Sequence, residues 1–379
     1  EGANLVSFHA FPQDASIENM MSPLLSIAIG VIGEGIAGSW NTDENQWFGS
    51  LSTIKATSGY WVKVTEASSL CINDATPSDY GNLNYTLHEG ANLISFPAQG
   101  TVDISPGLPD DIEPYVTGVI GEGVATSWSD DYGWSGSLSA FQGGRGYWMK
   151  ATQPVSFYFD MSTLSTVISR NTIGVIAPAD EVVFQSIYQA FYFIEGIALD
   201  GLPISEGDWI LAYNRNTLVG SRQWNGAFTD VPTMGYDDDM EETAGYSKAG
   251  SQLTFKVKQN NTGKIYQIMD SMPKWEDMKI FTLEHLTAKE MPKELQLVSA
   301  YPNPFNPVTN ISFGLDHDAY VQVKVFDLSG REVAKLGSGV YQSGYHVLTW
   351  NADRQSSGLY FLTIDSDGVS KIQKLMLLK

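Results

Sequence analysis

The chain has 379 residues, of which 43% are apolar and only 17% charged, with 36 glycines and 12% aromatics. At about 100–200 residues per domain this is apolar material for several cores, and so much glycine and aromatic favours strands and turns over helical bundles. A net charge of −21 repels phosphate backbones and argues against nucleic acid as a partner. The acid is concentrated at the front: residues 1–160 carry 4 Lys/Arg against 18 Asp/Glu, residues 161–294 carry 11 against 18, and residues 295–379 carry 7 against 7. No apolar run reaches the roughly 18 residues of a membrane-spanning helix. No signal segment opens the chain, so an exported protein would stand here in mature form. The single cysteine, Cys71, rules out an internal disulfide framework. It lies in Ser-Leu-Cys-Ile and is expected to be a buried structural thiol, with no basic neighbour to activate it.

The chain repeats itself. Glu-Gly-Ala-Asn-Leu-Val-Ser-Phe at residues 1–8 returns almost unchanged at residues 89–96. Gly-Val-Ile-Gly-Glu-Gly-Ile-Ala-Gly-Ser-Trp at 30–40 returns at 118–128, also offset by 88. Trp47 with Gly49-Ser-Leu-Ser returns as Trp134 with Gly136-Ser-Leu-Ser, and Gly59-Tyr-Trp as Gly146-Tyr-Trp, now offset by 87. One domain of roughly 88 residues has been duplicated, with one residue lost in a loop. The first copy opens at residue 1, where the second also opens, as expected of a processed precursor or a piece of a longer repeat array. Alternation in Asn-Leu-Val-Ser-Phe and Gly-Tyr-Trp-Val-Lys-Val predicts strands, with Tyr and Val on one face and Trp and Lys on the other. Short helices are expected at 16–21, after a candidate cap, and at 110–115.

Residues from about 165 to 290 match neither copy. An aromatic strand is expected over 184–193, a hairpin from 207–213 and 218–224 about a turn at Asn214, and further strands at 252–258 and 265–268. Residues 183–270 resemble a β-sandwich module found in secreted proteins. The resemblance implies an extracellular accessory or binding module, with no catalytic residues to assign.

The last 80 residues carry the most specific pattern. Tyr301-Pro-Asn-Pro-Phe-Asn-Pro307 is a stiff entry of three prolines and two turn-forming asparagines. Ile311, Phe313 and Leu315, then Val321, Val323 and Val325, alternate along two strands. Asp327-Leu-Ser-Gly-Arg331, Gly344-Tyr-His346 with Trp350, and Gly358-Leu-Tyr360 follow, and Lys371 to Lys379 form a basic tail. This series resembles the C-terminal sorting domain of the type IX (Por) secretion system. The resemblance implies a small Ig-like sandwich read by an outer-membrane translocon, with Pro302, Asn303, Pro304, Phe305, Asn306, Pro307 and Lys379 as sorting-motif residues. It implies a location outside the cell or on its outer surface. In that family the domain is often removed after export.

Several groups invite a chemical reading. Gly33-Glu-Gly-Ile-Ala-Gly38 spells a dinucleotide fingerprint, but no helix pattern opens on it and the second copy has Thr126 in place of the third glycine, so nucleotide binding is not expected. The five histidines form no metal-spaced pair. Asp130 and Asp131 could serve a glycosidase in principle, but read better as a solvated turn. Asp237, Asp238, Asp239, Glu241 and Glu242 put five carboxylates into six positions. That is either a solvated acidic loop or a Ca²⁺ site, without EF-hand spacing. Trp40, Trp47, Trp128 and Trp134 recur at matching places, either as core or as ring faces for a glycan or partner.

The expected architecture is mainly β, in four tandem domains: repeat copies at 1–80 and 81–164, a β-sandwich at 165–294, and an Ig-like sorting domain at 295–379. The expected function is non-enzymatic, with no catalytic residues and no cofactor other than Ca²⁺. It is a structural or adhesive protein that self-associates into a homo-oligomer, filament or layer. The alternative is a carbohydrate-binding accessory module with glycan partners. A hydrolase is a third and weaker reading.

Overall fold

The structure, a computed structural model, describes residues 1–166, 177–178 and 181–379. The remaining residues, near the start of the expected middle module, lie outside the described set. The chain is mainly β, about 51% strand and 5% helix. It divides into two compact units: Glu1–Ile197 with Ile204–Phe255 and Met272–His285, and Ala198–Pro203 with Lys256–Ser271 and Leu286–Lys379.

In the first unit the two repeat copies build the same five-stranded antiparallel sheet. Copy one orders its strands Gly2–Val6, Tyr60–Val64, Ala28–Gly33, Ile36–Asn41, Gln46–Gly49. Copy two orders Gly90–Ser95, Gly146–Ala151, Val116–Ile120, Ala125–Ser129, Gly133–Gly136 in the corresponding places. Strand periodicity of two sends Tyr60, Val62 and Val64 into copy one's own core, beside Ile17, Met20, Val31 and Leu51. Trp61 and Lys63 go to the opposite face, which is also covered, so all five residues of that strand are buried.

Local chemistry explains where expectations held and where they moved. Ser16 caps a helix over Ile17–Met20, its hydroxyl accepting the Asn19 N–H at 3.3 Å. In copy two the helix lies earlier, at Ile104–Gly107. The 110–115 stretch forms only a 3₁₀ turn at Glu113–Tyr115, because Pro114 supplies no N–H to propagate a helix. Cys71 is exposed, not buried. Leu70 and Ile72 on either side pack against the core, and alternation turns the thiol outward. The aromatic strand runs over Gln189–Leu199 and not from 184. The Phe184 N–H goes to the Tyr246 hydroxyl at 2.8 Å instead of to a ladder partner.

The copies clasp each other reciprocally. Glu34 of copy one accepts the Leu93 N–H of copy two at 2.7 Å, and Glu122 of copy two accepts the Leu5 N–H of copy one at 2.9 Å. Leu5 and Leu93 are equivalent residues, as are Glu34 and Glu122. Ser7 N–H donates to Gly144 O at 3.1 Å and Ser95 N–H to Thr57 O at 3.2 Å, again an equivalent pair. This residue-for-residue reciprocity is the mark of a two-fold interface, here within one chain. Leu5, Leu93, Trp61, Trp148 and Ile32 share one apolar cluster between the sheets. Burial pushes the Glu122 carboxyl up, while the Leu5 N–H and Arg145 hold it down.

The rest of the first unit packs on the outer faces of these sheets. Gln189–Leu199 pairs with Thr229–Met234, from Gln189 against Met234 to Ile194 against Thr229. Trp209–Asn214 and Thr217–Gln223 form the expected hairpin. Phe191 and Phe193 from the first of these strands cluster with Ile120 and Ala125 of copy two.

The second unit contains two sheets of the C-terminal domain. One orders Gln296–Tyr301, Val308–Leu315, Gly344–Asn351; the other orders Glu332–Tyr341, Ala319–Phe326, Gly358–Ser366, Val369–Leu377. Ile311, Phe313, Leu315, Val321, Val323 and Val325 all point into the core between them, as their alternation predicts. The ends of Thr254–Lys258 and Ile280–Glu290 also belong to this unit, paired through Ile265–Ile268.

Gly59 sits where the copies come closest. A Cβ there would lie 2.7 Å from Ile94 O and 3.2 Å from Gly146 Cα. Gly59→Val is expected to cost about 1–3 kcal/mol of stability through overpacking. The same change at Gly263, where a Cβ meets nothing within 4 Å but φ is +68°, is expected to cost only the backbone strain, about 1–2 kcal/mol. Urea unfolding of both variants checks the difference.

Candidate functional site

The acidic stretch closes on a cation supplied by the chain. Asp237 is buried, and one carboxylate oxygen each from Asp237, Asp238 and Asp239 lie within 4.8 Å of one another. Lys63, 1% exposed, comes from the outer face of the copy-one sheet. Its ammonium donates to Asp237 Oδ1 and Asp239 Oδ2, each at 2.9 Å. Burial disfavours charge on Lys63, but the hydrogen bonds and negative charge of Asp237 and Asp239 outweigh it and hold its pKa above the ordinary lysine value. The loop is pinned by Thr243, whose hydroxyl accepts the Asp237 N–H at 2.9 Å. Asp237 Oδ2 is buried without a hydrogen-bond partner among the described residues. Glu241 and Glu242 do not join the cluster; they are exposed on a 3₁₀ turn at Glu241–Thr243. Three of the five expected carboxylates therefore come together, and two of them, Asp237 and Asp239, bind the Lys63 ammonium.

The tryptophans pair across strands. Trp40 faces Trp47 and Trp128 faces Trp134, with ring centroids 5.5 and 5.6 Å apart. All four are half-buried. Trp47 and Trp134 pack against the cores of their copies, and Trp134 Nε1 donates to Glu113 at 2.6 Å. Trp40 and Trp128 lie over them at the sheet end.

A second buried charge pair was not legible in the sequence. Asp230, 1% exposed, accepts Ser137 N–H at 2.9 Å, the Ser137 hydroxyl at 2.7 Å and the Ala125 N–H at 3.3 Å. Arg222 donates to Asp230 at 3.2 Å and to Gly123 O at 2.6 Å. The Gln189 amide donates to Gly121 O at 3.0 Å and accepts Gly123 N–H at 3.3 Å. Ser137 in Gly-Ser-Leu-Ser and the Gly-Glu-Gly loop are repeat motifs whose polar groups meet this pair in copy two.

The equivalent groups of copy one are open. Ala125 is fully buried, but its counterpart Ala37 is exposed, as are Gly35, Ser39 and Ser50. The Ala37 N–H falls back on the Ser50 hydroxyl at 3.2 Å, the place taken by Asp230 in copy two. Phe48 replaces Ser135 on this face and is 45% exposed. It lies on Gln46–Gly49, the outermost strand of its sheet.

In the C-terminal domain the proline-rich entry latches the last strand. Phe305 N–H donates to Met376 O and Leu378 N–H to Phe305 O, each at 2.9 Å. The Asn303 side chain accepts Met376 N–H and donates to Lys374 O, both at 2.9 Å. Phe305 is buried against Trp350, with centroids 5.1 Å apart. Pro302, Pro304 and Asn306 stay exposed and Pro307 is half-buried. Lys379 donates its N–H to Ser357 at 2.9 Å and its ammonium to Asp353 O.

Residues 299–378 match the family model of the secretion system C-terminal sorting domain. This part of the chain is such a sorting domain. The protein is therefore a secreted or cell-surface protein handled by the type IX secretion system. Among the described residues, no helix is long and apolar enough to cross a membrane. No curated protein matches the chain. Among solved structures, a beta-glycosidase from Bacteroides vulgatus is similar at 11% identity and TM-score 0.19, over 50% of this chain and 25% of its own. Dimeric latent PorU from Porphyromonas gingivalis is similar at 10% identity and TM-score 0.17, over 87% of this chain and 36% of its own. The chain thus spans about a quarter and about a third of their lengths. At these TM-scores the likenesses say nothing about activity.

Two substitutions test these readings. Lys63→Met leaves Asp237 and Asp239 without their cation and is expected to cost about 3–5 kcal/mol. Millimolar Ca²⁺ is expected to raise the melting temperature of that variant and to leave the parent unchanged. Asn303→Ala removes two hydrogen bonds to the last strand and is expected to cost about 1–3 kcal/mol, read as faster amide exchange over residues 371–377.

Proposed function

We propose that the protein is a non-enzymatic structural or adhesive component of the cell exterior, and that copies of it associate through the open face of the first repeat into an extracellular filament or layer. The observation that carries this reading is the contrast between equivalent faces. Copy two's face is buried under Phe193, Asp230 and Arg222, while the same backbone and serine groups of copy one stand exposed. Phe48 adds an aromatic to that face where copy two has a serine. An unpaired edge strand beside an exposed aromatic is a ready template for another chain.

A structural role also fits the placement of the acids. Asp230 and Asp237, two of the deeply buried carboxylates, are engaged by Arg222 and Lys63. Asp130 and Asp131 sit exposed at the turn before Gly133. Asp230 and Asp237 hold a sheet and a loop in place.

Sedimentation velocity on the full chain tests the proposal. Association that rises with concentration is expected for the parent. Burying a phenylalanine is worth about 1.5–3 kcal/mol, so Phe48→Asp is expected to weaken association at least tenfold, with an unchanged melting temperature. A parent that stays monomeric at every concentration overturns the reading.

A further inference from the structure

The sorting domain meets the strands before it through one side chain that behaves like a strand. Gln267, on Ile265–Ile268, accepts the Tyr345 N–H at 2.7 Å with Oε1 and donates to Tyr345 O at 3.3 Å with Nε2. A single amide thus satisfies both backbone groups of one residue at the start of Gly344–Asn351. The approach is close enough to dictate the neighbour. A Cβ on Gly344, which has φ +122°, would lie 2.2 Å from Gln267 Oε1. The Tyr345 hydroxyl donates to Glu290 O at 3.0 Å and accepts from Gln296 at 3.3 Å. It therefore ties the last residue of one strand to the first residue of the next.

The chain between Glu290 and Gln296 is anchored on both sides of a short exposed step. Pro292 is buried against Gly314, where a Cβ would lie 2.5 Å from Pro292 Cγ. Leu295 belongs to the core of the C-terminal domain. Between them only Lys293 and Glu294 face solvent. A cut in this step leaves Pro292 and Gln267 on one fragment, still packed against Gly314 and Tyr345 of the other. Residues 256–271 and 286–379 accordingly fall in one compact unit.

We infer that this sorting domain is held to the preceding strands by non-covalent contacts centred on Gln267 and Tyr345, so that cleavage between Lys293 and Glu294 nicks the protein without releasing the domain. The domain then stays as a resident part of the body, whether or not the chain is cut there. This goes beyond self-association and does not depend on it.

The test inserts a site-specific protease sequence, flanked by Gly and Ser, between Lys293 and Glu294 of the full chain, where a longer exposed loop is tolerated. After complete cutting, verified by intact mass, the two fragments are expected to co-elute on gel filtration at micromolar concentration. Separation of the fragments under native conditions overturns the inference. Gln267→Ala in the same background is expected to raise the fragment dissociation constant at least tenfold. Unchanged co-elution in that variant at every dilution removes Gln267 as the centre of the clamp and overturns the inference in that form.

Discussion

A five-stranded sheet with apolar residues on both faces cannot stand alone in water, and each repeat of this chain is such a sheet. The strand Tyr60–Val64 is buried at every residue, which one core beneath it cannot achieve. Its Trp61 needs a second cover, and the other copy supplies it through Leu93 and Trp148. Glu34 and Glu122 fix the register of that cover by each accepting a backbone N–H of the opposite copy. A carboxylate accepting a backbone N–H is a charge-assisted bond, and reciprocity makes two of them from one motif. The Gly-Glu-Gly sequence that resembles a phosphate loop is the latch of an internal two-fold. Its glycines allow the close turn, with Gly35 and Gly123 at φ +67° and +64°.

The duplication then breaks its own symmetry. The aspartate–arginine pair of Asp230 and Arg222 covers copy two, while Asp237 and Asp239 reach Lys63 on copy one. Both solutions bury a carboxylate and match it to a cation, which is the condition for such a charge to be tolerated. The two outer faces are consequently unequal, one closed to its edge and the other open from Ala37 to Phe48. An internal repeat thus provides its own comparison: the same surface is covered in one copy and open in the other.

Much of the fold was legible because it rests on periodicity. The alternation of Val321, Val323 and Val325 fixed one face of a strand, and the 88-residue offset gave both sheets at once. The sorting domain was legible because its turns need particular residues at particular spacings. What stayed hidden was every contact between segments far apart in sequence. Nothing in Gly-Tyr-Trp-Val-Lys-Val marks Lys63 as the partner of an aspartate 174 positions away. Gln189 and Gln267 look like ordinary strand glutamines, yet each pairs with both groups of a distant backbone. Cys71 is exposed because only the alternate members of its short apolar run, Leu70 and Ile72, pack inward. The crowding of the acidic stretch was plain, but that two of its carboxylates meet the Lys63 ammonium was not.

The proline-rich entry of the C-terminal domain is a fastener. Asn303 and Phe305 spend their hydrogen bonds and their ring on the final strand and Trp350. The termini of this domain are thereby closed on each other, the Phe305 backbone pairing in parallel with Leu377. A strand tied at its end resists fraying, so the entry sequence stabilises the part of the domain that would otherwise open first. Pro302, Pro304 and Asn306 do not point inward and form the exposed rim of the same turn. Phe305 sets the shape of the turn from inside the core, and Asn303 ties its rim to the last strand through both groups of its amide.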